Sequence, residues 1–195
     1  MSMVWYVSEE EMMNKGMLIA LSGKMGSGKT TTFNLLKDRL GSNVVLVKFA
    51  SPLYEAQDYL YEKFGFGFPV IKDRKLLQWL GTNWAREKNE NVFVDVFKDR
   101  VAGLMANGVT VICDDCRFLN EAEAVRELGG TVIKINKLHS GHAESESGKS
   151  HASEREIDMI QGDFIVDNDT IENLKRDITH ICIDLLGERY VGSGS

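Results

Sequence analysis

Short apolar runs alternate with amphipathic segments along most of the chain. Residues 17–22 form an apolar run that stops at Gly23, which is typical of a buried strand. In Lys29–Leu40, apolar residues recur at helical spacing instead. Applied to the whole chain, this reading predicts strands at residues 17–22, 44–50, 109–113, 131–135 and 164–166. It predicts helices at residues 29–40, 51–64, 73–88, 91–107 and 120–128, a short one from 153, and one at 171–185.

Several helix starts carry capping signals. Ser51 followed by Pro52 resembles an N-cap and a first helical position. Three other helices open with a polar residue that has glutamate three positions later, which is the spacing of a capping box. These pairs are Asn120 with Glu123, Ser153 with Glu156, and Asp169 with Glu172.

The order of elements predicts the fold class. Strands that alternate with helices form a mainly parallel sheet with helices on both faces, which is a three-layer α/β fold. The length of 195 residues suits one domain, which we place at residues 17–188. Residues 1–16 are then an N-terminal extension and residues 189–195 a flexible tail.

Composition narrows the class of function. The formal net charge of −6 argues against a nucleic-acid or anionic-membrane surface, and no apolar run is long enough to span a bilayer. Three cysteines are too few, and odd in number, for a disulfide framework. The start lacks a secretory signal, so we expect a cytoplasmic protein.

The turn after the first predicted strand matches the P-loop pattern G-x-x-x-x-G-K-[ST] and opens a helix. Its glycines let backbone amides converge on phosphate oxygens, with Lys29 reaching the outer phosphates and the Thr30 hydroxyl available to Mg²⁺. The predicted phosphate-binding residues are Gly23, Lys24, Gly26, Ser27, Gly28, Lys29, Thr30 and Thr31.

The third predicted strand runs into Asp114 and Asp115, and one of these carboxylates is expected to complete a Mg²⁺-nucleotide site. The residues alone leave the choice open. A GTPase is not favoured, because the nearest match to the guanine-reading N-K-x-D pattern begins at Asn136 and lacks the final acid. A zinc site built from Cys113, Cys116 and nearby histidines is a weaker alternative, since Cys113 should point into the sheet.

The chain resembles the P-loop nucleoside monophosphate kinases, most closely those of the bacteriophage deoxynucleoside type, and dephospho-CoA kinase more distantly. The resemblance is carried by the P-loop, Phe49-Ala50-Ser51-Pro52-Leu53, Leu76-Leu77-Gln78, Gly81-Thr82-Asn83-Trp84-Ala85-Arg86, Asp115-Cys116-Arg117-Phe118, Asn120-Glu121-Ala122 and His151-Ala152-Ser153-Glu154. It implies ATP on the P-loop, a helical acceptor-binding insert at about residues 51–107, and a mobile lid at about residues 136–156.

The resemblance also assigns roles. An acid followed two residues later by arginine favours Asp115, with Arg117, over Asp114. The implied catalytic residues are Lys29, Asp115, Arg117 and Arg155, and the implied Mg²⁺ ligands are Thr30 and Asp115. The implied acceptor-binding residues are Arg74, Gln78, Trp84, Arg86 and Arg117. A solvated basic helix face is the alternative interpretation of the insert arginines.

One departure from the family pattern concerns the lid. Such lids generally carry arginines that clamp the transferring phosphoryl group, whereas the only basic residues at positions 137–150 are Lys137 and Lys149. The nearest arginine is Arg155. Either Arg155 or the lysines serve, or catalysis depends on Lys29, Lys24 and the metal.

The predicted function is ATP-dependent phosphorylation of a nucleoside or deoxynucleoside monophosphate, by in-line transfer to its phosphate. Dephospho-CoA kinase-like transfer to a hydroxyl is an alternative, and so is a non-kinase P-loop ATPase switch. ATP and the monophosphate are the expected small-molecule partners. A homodimer is compatible with the sequence.

Overall fold

The computed structural model describes residues 16–67, 72–137 and 152–191, with the side chains of 155–187 in the last range. The predicted lid falls largely outside these ranges, as do residues 1–15 and 192–195. Nearly all of the predicted single domain is therefore available for description.

Five parallel strands form one sheet. They are β1 Leu18–Ser22, β2 Val44–Leu46, β3 Thr110–Cys116, β4 Thr131–Lys137 and β5 Phe164–Asn168. The order across the sheet is β2-β3-β1-β4-β5, and every neighbouring pair is parallel. The predicted parallel α/β sheet is confirmed.

Helices connect the strands. They are α1 Lys29–Leu40, α2 Ser51–Lys63, α3 Arg74–Gln78, α4 Val92–Ala106, α5 Leu119–Glu127, α6 Ala152–Met159 and α7 Ile171–Val191. The helix predicted at 73–88 changes character partway along: after α3 it continues as a π-helical segment, Trp79–Arg86. Such wider turns are rare and often mark functional sites.

The core lies on both faces of the sheet. All five residues of β1 are buried, because alternate side chains point to opposite faces. Leu18 and Ala20 belong to a cluster that reaches α4 and α5, whereas Ile19 and Leu21 belong to one that reaches α1 and α7. This burial pattern confirms the three-layer arrangement.

The ends of β2 and β3 differ from the prediction. The predicted strand 44–50 ends at Leu46, and the Asp115 carboxylate then accepts hydrogen bonds from the amides of Phe49 and Ala50. β3 is longer than predicted and ends at Cys116, so the acid pair belongs to the strand. The apolar residues after Leu46 continue the pattern of β2, so the sequence does not show where that strand ends. The charged residues Asp114 and Asp115 break the apolar pattern of β3, so the sequence places its end too early.

The predicted capping pair Asn120–Glu123 is wrong, and the Ser153 side chain of the second pair lies outside the described residues. α5 begins at Leu119, and it is Glu121 that accepts hydrogen bonds from the amides of Arg117 and Phe118. Glu156 accepts from the amide of Leu119 and so ties α6 to α5. Thr170 caps α7 through the amide of Asn173. Tertiary contacts select among closely spaced polar residues, which sequence spacing alone does not resolve.

No helix in the described ranges is long and apolar enough to cross a membrane. Cys113 and Cys116 are both buried, and the histidines of the zinc alternative, His139 and His142, lie outside the described residues.

Candidate active site

The P-loop between β1 and α1 has the backbone that its glycines predict. Gly26 and Gly28 have φ values of 76° and 107°, in the left-handed region that favours glycine. A Cβ on Gly28 would also lie 2.3 Å from Asn168 Nδ2, the group that donates to the Ser27 carbonyl oxygen at 2.8 Å. The end of β5 therefore supports the loop from below, and only glycine fits at position 28.

Lys29 folds back over the loop. Its Nζ donates to the carbonyl oxygens of Gly23, at 2.6 Å, and Lys24, at 2.9 Å. Burial, and then the nearby Arg117 guanidinium, lower the pKa of Lys29 from 10.5 to about 8, against the opposing effect of Asp114 and Asp115. Two cations held this close together in a partly buried cleft favour binding of an anion.

The P-loop forms one wall of an open cleft, which we call the P-loop cleft. Its lining residues are Met25, Gly26, Gly28, Lys29, Thr30, Lys48, Tyr54, Lys72, Asp114, Asp115 and Arg117. Four cationic side chains and two carboxylates thus surround a surface made largely of backbone. This is the composition expected of a site for a polyphosphate with a hard cation.

The two acids of β3 differ in their contacts. Asp114 forms an ion pair with Lys48 at 2.8 Å. This pair raises the pKa of Lys48 even though burial opposes the rise. Asp115 accepts from the amides of Phe49 and Ala50 at 3.0 and 3.1 Å, and from the Cys113 thiol at 3.2 Å. Burial raises the pKa of Asp115 despite these hydrogen bonds.

A second cleft opens beside the first, between the sheet edge and the insert, and we call it the insert cleft. Its volume of about 420 Å³ lies in the range of small-molecule sites. Its lining residues are Phe49, Ala50, Leu53, Tyr54, Leu77, Gln78, Gly81, Thr82, Arg86, Phe93, Asp115, Arg117, Phe118 and Glu121. Tyr54, Asp115 and Arg117 line both clefts.

Arg86 is the most constrained side chain of the insert cleft. Its guanidinium carbon lies 3.9 Å from the ring centre of Phe118 and 4.8 Å from that of Phe93. Its Nη2 donates to Glu121 Oε1 at 2.8 Å. Its Nη1 also donates to the Glu90 carbonyl oxygen at 3.4 Å. Aromatic faces, a carboxylate and this carbonyl fix the plane of the guanidinium at the wall of the cleft.

Glu121, at the start of α5, is the carboxylate that pairs with Arg86. It is 2% exposed and accepts hydrogen bonds from the amides of Arg117 and Phe118 as well as from Arg86. Burial raises its pKa, and the amide of Arg117 and the charge of Arg86 counter that rise. The carboxylate therefore joins the insert to the end of β3.

The π-helical segment packs against α2 within the insert. A Cβ on Gly81 would lie 3.0 Å from Leu53 Cδ1, so glycine allows this close approach. The segment presents Gly81, Thr82 and Arg86 to the insert cleft, while Trp84 is 49% exposed.

The structure brings most predicted site residues together. Gly26, Gly28, Lys29, Thr30, Asp115 and Arg117 line the P-loop cleft, and Gln78, Arg86 and Arg117 line the insert cleft. Gly23 lies in the same loop, Ser27 is buried beneath it, and Lys24 pairs with Asp158 of α6 at 3.1 Å.

Besides Gly23, Lys24 and Ser27, four predicted residues lie outside the lining of both clefts. Arg74 is exposed on α3, Thr31 on α1 and Arg155 on α6. Trp84 contacts Lys88, whose Nζ lies 5.5 Å from the ring centre. Their roles in binding or catalysis stay predictions.

Sequence reasoning missed other residues of the clefts. Lys48 follows β2 at the carboxyl edge of the sheet, where ligands of parallel sheets bind, so its position was a usable signal. Tyr54, Lys72, Phe93 and Glu121 carry no such local signal, because the fold brings them together from distant parts of the chain.

Comparison with known proteins agrees with this geometry. The family model described as deoxynucleotide monophosphate kinase matches residues 70–178, more than half of the chain. That range excludes the P-loop, so the motif and the family match are separate observations.

Two curated relatives are viral. A proposed deoxynucleotide monophosphate kinase of Acanthamoeba polyphaga mimivirus is 34% identical over 193 residues, covering 86% of this chain and 96% of the relative. An uncharacterised protein, ORF77 of Ictalurid herpesvirus 1, is 32% identical over 126 residues, covering 63% of this chain and 52% of its own.

Among solved structures, TT1252 from Thermus thermophilus superposes with a TM-score of 0.50 at 16% identity, covering 89% of this chain and 98% of that one. This likeness concerns the fold alone. The family model and the mimiviral relative carry the assignment, and the chain belongs to the deoxynucleotide monophosphate kinase family, which makes it a phosphotransferase acting as a nucleotide kinase.

Proposed function

We propose that the protein transfers the γ-phosphoryl group of ATP, bound in the P-loop cleft, to the phosphate of a deoxynucleoside monophosphate in the insert cleft. The single observation that carries the proposal is that the two clefts share Tyr54, Asp115 and Arg117. A donor and an acceptor in adjoining clefts present their phosphates to each other across that shared wall. The family and the mimiviral relative support a deoxynucleotide as the acceptor.

On the donor side, the P-loop amides and Lys29 bind the phosphates. Lys29 donates to two loop carbonyls in the structure, and phosphate oxygens offer it stronger, charge-assisted partners. Lys24, Ser27 and Thr31 complete the predicted phosphate-binding set. The residues of this cleft contribute to catalysis by positioning the phosphates and by neutralising their charge, since phosphoryl transfer needs little covalent chemistry from the protein.

Thr30 and Asp115 are the residues we propose to hold Mg²⁺, with Asp115 acting through a water molecule. The described part of the chain contains no cluster of three His, Cys, Asp or Glu side chains that would form an all-protein metal cage. A hydroxyl, one or two carboxylates and substrate phosphates are what Mg²⁺ commonly uses instead, so the residues fit. When bound, the ion supplies neutralisation of the charge on the donor phosphates.

On the acceptor side, Arg86 and Arg117 bind the monophosphate and Gln78 contacts the nucleoside. Arg86 enters with its plane already fixed by Phe93, Phe118 and Glu121, so little side-chain entropy is lost on binding. Arg74, Trp84 and Arg155 are further candidates from the resemblance.

The test is an ADP-release assay with Mg-ATP against each deoxynucleoside monophosphate, the ribose forms, dephospho-CoA and no acceptor. We expect turnover only with one or a few deoxynucleoside monophosphates. Turnover with dephospho-CoA alone would instead establish transfer to a hydroxyl. Steady ATP hydrolysis without acceptor would establish an ATPase switch and contradict the proposal.

A further inference from the structure

The P-loop cleft contains a lysine that the P-loop motif does not account for. Lys72 precedes α3, in the acceptor-binding insert, and its side chain lines the cleft. Its Nζ donates to the Tyr54 hydroxyl at 2.9 Å and lies 4.2 Å from the centre of the Tyr54 ring. Lys72 therefore belongs to the insert by sequence but to the P-loop cleft by position.

The charge of Lys72 is not neutralised by any described carboxylate. Lys48, its cationic neighbour in the cleft wall, is paired with Asp114. No ion pair in the described ranges involves Lys72. A phenol ring and hydroxyl hold a cation in place without cancelling its charge. The contact thus keeps a full positive charge directed at the cleft.

Most of the predicted lid lacks the arginines that would otherwise bind the transferring phosphoryl group. Positions 137–150 contain two lysines and no arginine. Phosphoryl transfer nevertheless develops charge on the oxygens of the moving group, and cations aimed at that group account for much of the rate. A cation fixed in the described cleft wall meets this requirement.

We propose that Lys72 is a catalytic residue whose ammonium group binds the oxygens of the transferring phosphoryl group. The role rests on the proposed function. In the step, an oxygen of the acceptor phosphate forms a bond to the γ-phosphorus as the bond from that phosphorus to the β–γ bridging oxygen breaks. The electron pair of that bond leaves with ADP. Lys72 keeps its proton throughout and acts through charge alone.

Tyr54 couples this lysine to the acceptor. It lines both clefts and holds Lys72 by hydroxyl and ring, so a nucleotide in the insert cleft meets the residue that positions the ammonium group. Tyr54 is accordingly a positioning residue. Removing its hydroxyl should lower kcat less than removing the lysine does.

The experiment compares Lys72→Met, Lys72→Arg and Tyr54→Phe with a matched control, Lys63→Met. Lys63 lies in the same insert and sits over a tyrosine, Tyr59, at 5.3 Å, but lines neither cleft. For Lys72→Met we expect kcat to fall about 100-fold with both KM values within about threefold. Lys72→Arg should retain most of kcat, Tyr54→Phe should lose about fivefold, and Lys63→Met should match wild type.

A second readout separates a catalytic from a structural role. ADP, the monophosphate and aluminium fluoride together mimic the transferring group, and Lys72→Met should weaken this complex about as much as it lowers kcat while leaving ADP binding unchanged. The role of Lys72 is overturned if Lys72→Met behaves like Lys63→Met, or if its whole effect lies in the KM of the acceptor. Wild-type protein that transfers nothing to any monophosphate would overturn the proposed function and this role together.

Discussion

The two clefts are built in opposite ways. The phosphate-binding wall of the P-loop cleft is one contiguous segment, shaped by glycine backbone and by a lysine that donates to its own loop's carbonyls. The insert cleft is assembled from α2, the π-helical segment, α4 and α5, and it is held by aromatic faces around the ion pair of Arg86 with the buried Glu121. The first should therefore lose function without losing stability when its key side chain is removed. The second should lose both.

The largest effect is expected for Lys29→Ala, which should lower the rate of transfer by about 1,000-fold or more because the main positive charge that faces the donor phosphates is gone. Stability should be nearly unaffected. The pKa of Lys29 is lowered in the fold, so below about pH 8 its charge is held less favourably in the folded state than in the unfolded one. The coupled assay and urea unfolding at pH 7 measure the two quantities. Retention of most activity would contradict the site assignment.

Glu121→Ala tests the other side of the comparison. It leaves the partly buried Arg86 guanidinium without its carboxylate and removes the acceptor for two backbone amides. Leaving hydrogen-bond donors unsatisfied costs about 1–3 kcal/mol, and burial already raises the pKa of Glu121 to about 7, which limits the contribution of the ion pair. We therefore expect a loss of about 1–3 kcal/mol in the free energy of unfolding, together with a higher KM for the acceptor.

The control for this variant is Glu123→Ala, which removes an exposed glutamate from the same helix. Its free energy of unfolding should stay within about 0.5 kcal/mol of wild type. If both variants unfold alike in urea, the buried pair does not stabilise the insert cleft.

The same contrast explains what could be predicted from sequence. The positions of the five strands, the three layers and the phosphate-binding loop follow from local patterns, because an apolar run such as β1 and the glycine-rich turn after it favour their backbone conformations by themselves. The partner of Arg86 cannot be predicted from a local pattern, since Glu121 is 35 positions away and Glu123 is an equally plausible capping residue. The π-helical segment that contains Arg86 likewise packs against a residue distant in sequence, Leu53, and no local residue pattern predicts it.

The acid pair of β3 lies where the clefts meet: Asp115 lines both clefts and Asp114 lines the P-loop cleft. A comparison of Asp115→Asn with Asp114→Asn tests which of the two carboxylates orients the metal. An asparagine at 115 turns an N–H group towards one of the two backbone amides that the carboxylate accepts, which costs about 1–3 kcal/mol of stability. We expect kcat to fall about 100-fold, with a higher Mg²⁺ requirement, if Asp115 orients the metal's waters.

Asp114→Asn should lower kcat about tenfold at most, because it mainly frees Lys48 from its ion pair. Titration of activity with Mg²⁺ distinguishes the two variants. A larger rise in Mg²⁺ requirement for Asp114→Asn would transfer the metal role to Asp114.

The smallest effect is a difference in pH dependence between the clefts. With a pKa of about 8, Lys29 loses its proton in the free protein as the pH rises from 7 to 9, and binding of a polyphosphate must then take that proton up again. Donor affinity should fall about tenfold over this range. Acceptor affinity should change about twofold at most, since Glu121 beside Arg86, with its pKa raised by burial to about 7, is already about half ionised at pH 7. Calorimetric titration of ADP and of the monophosphate at pH 7, 8 and 9 measures both. In Lys29→Arg the donor slope should disappear, because the substituted side chain does not titrate; a slope that persists there would assign the proton to another group of the P-loop cleft.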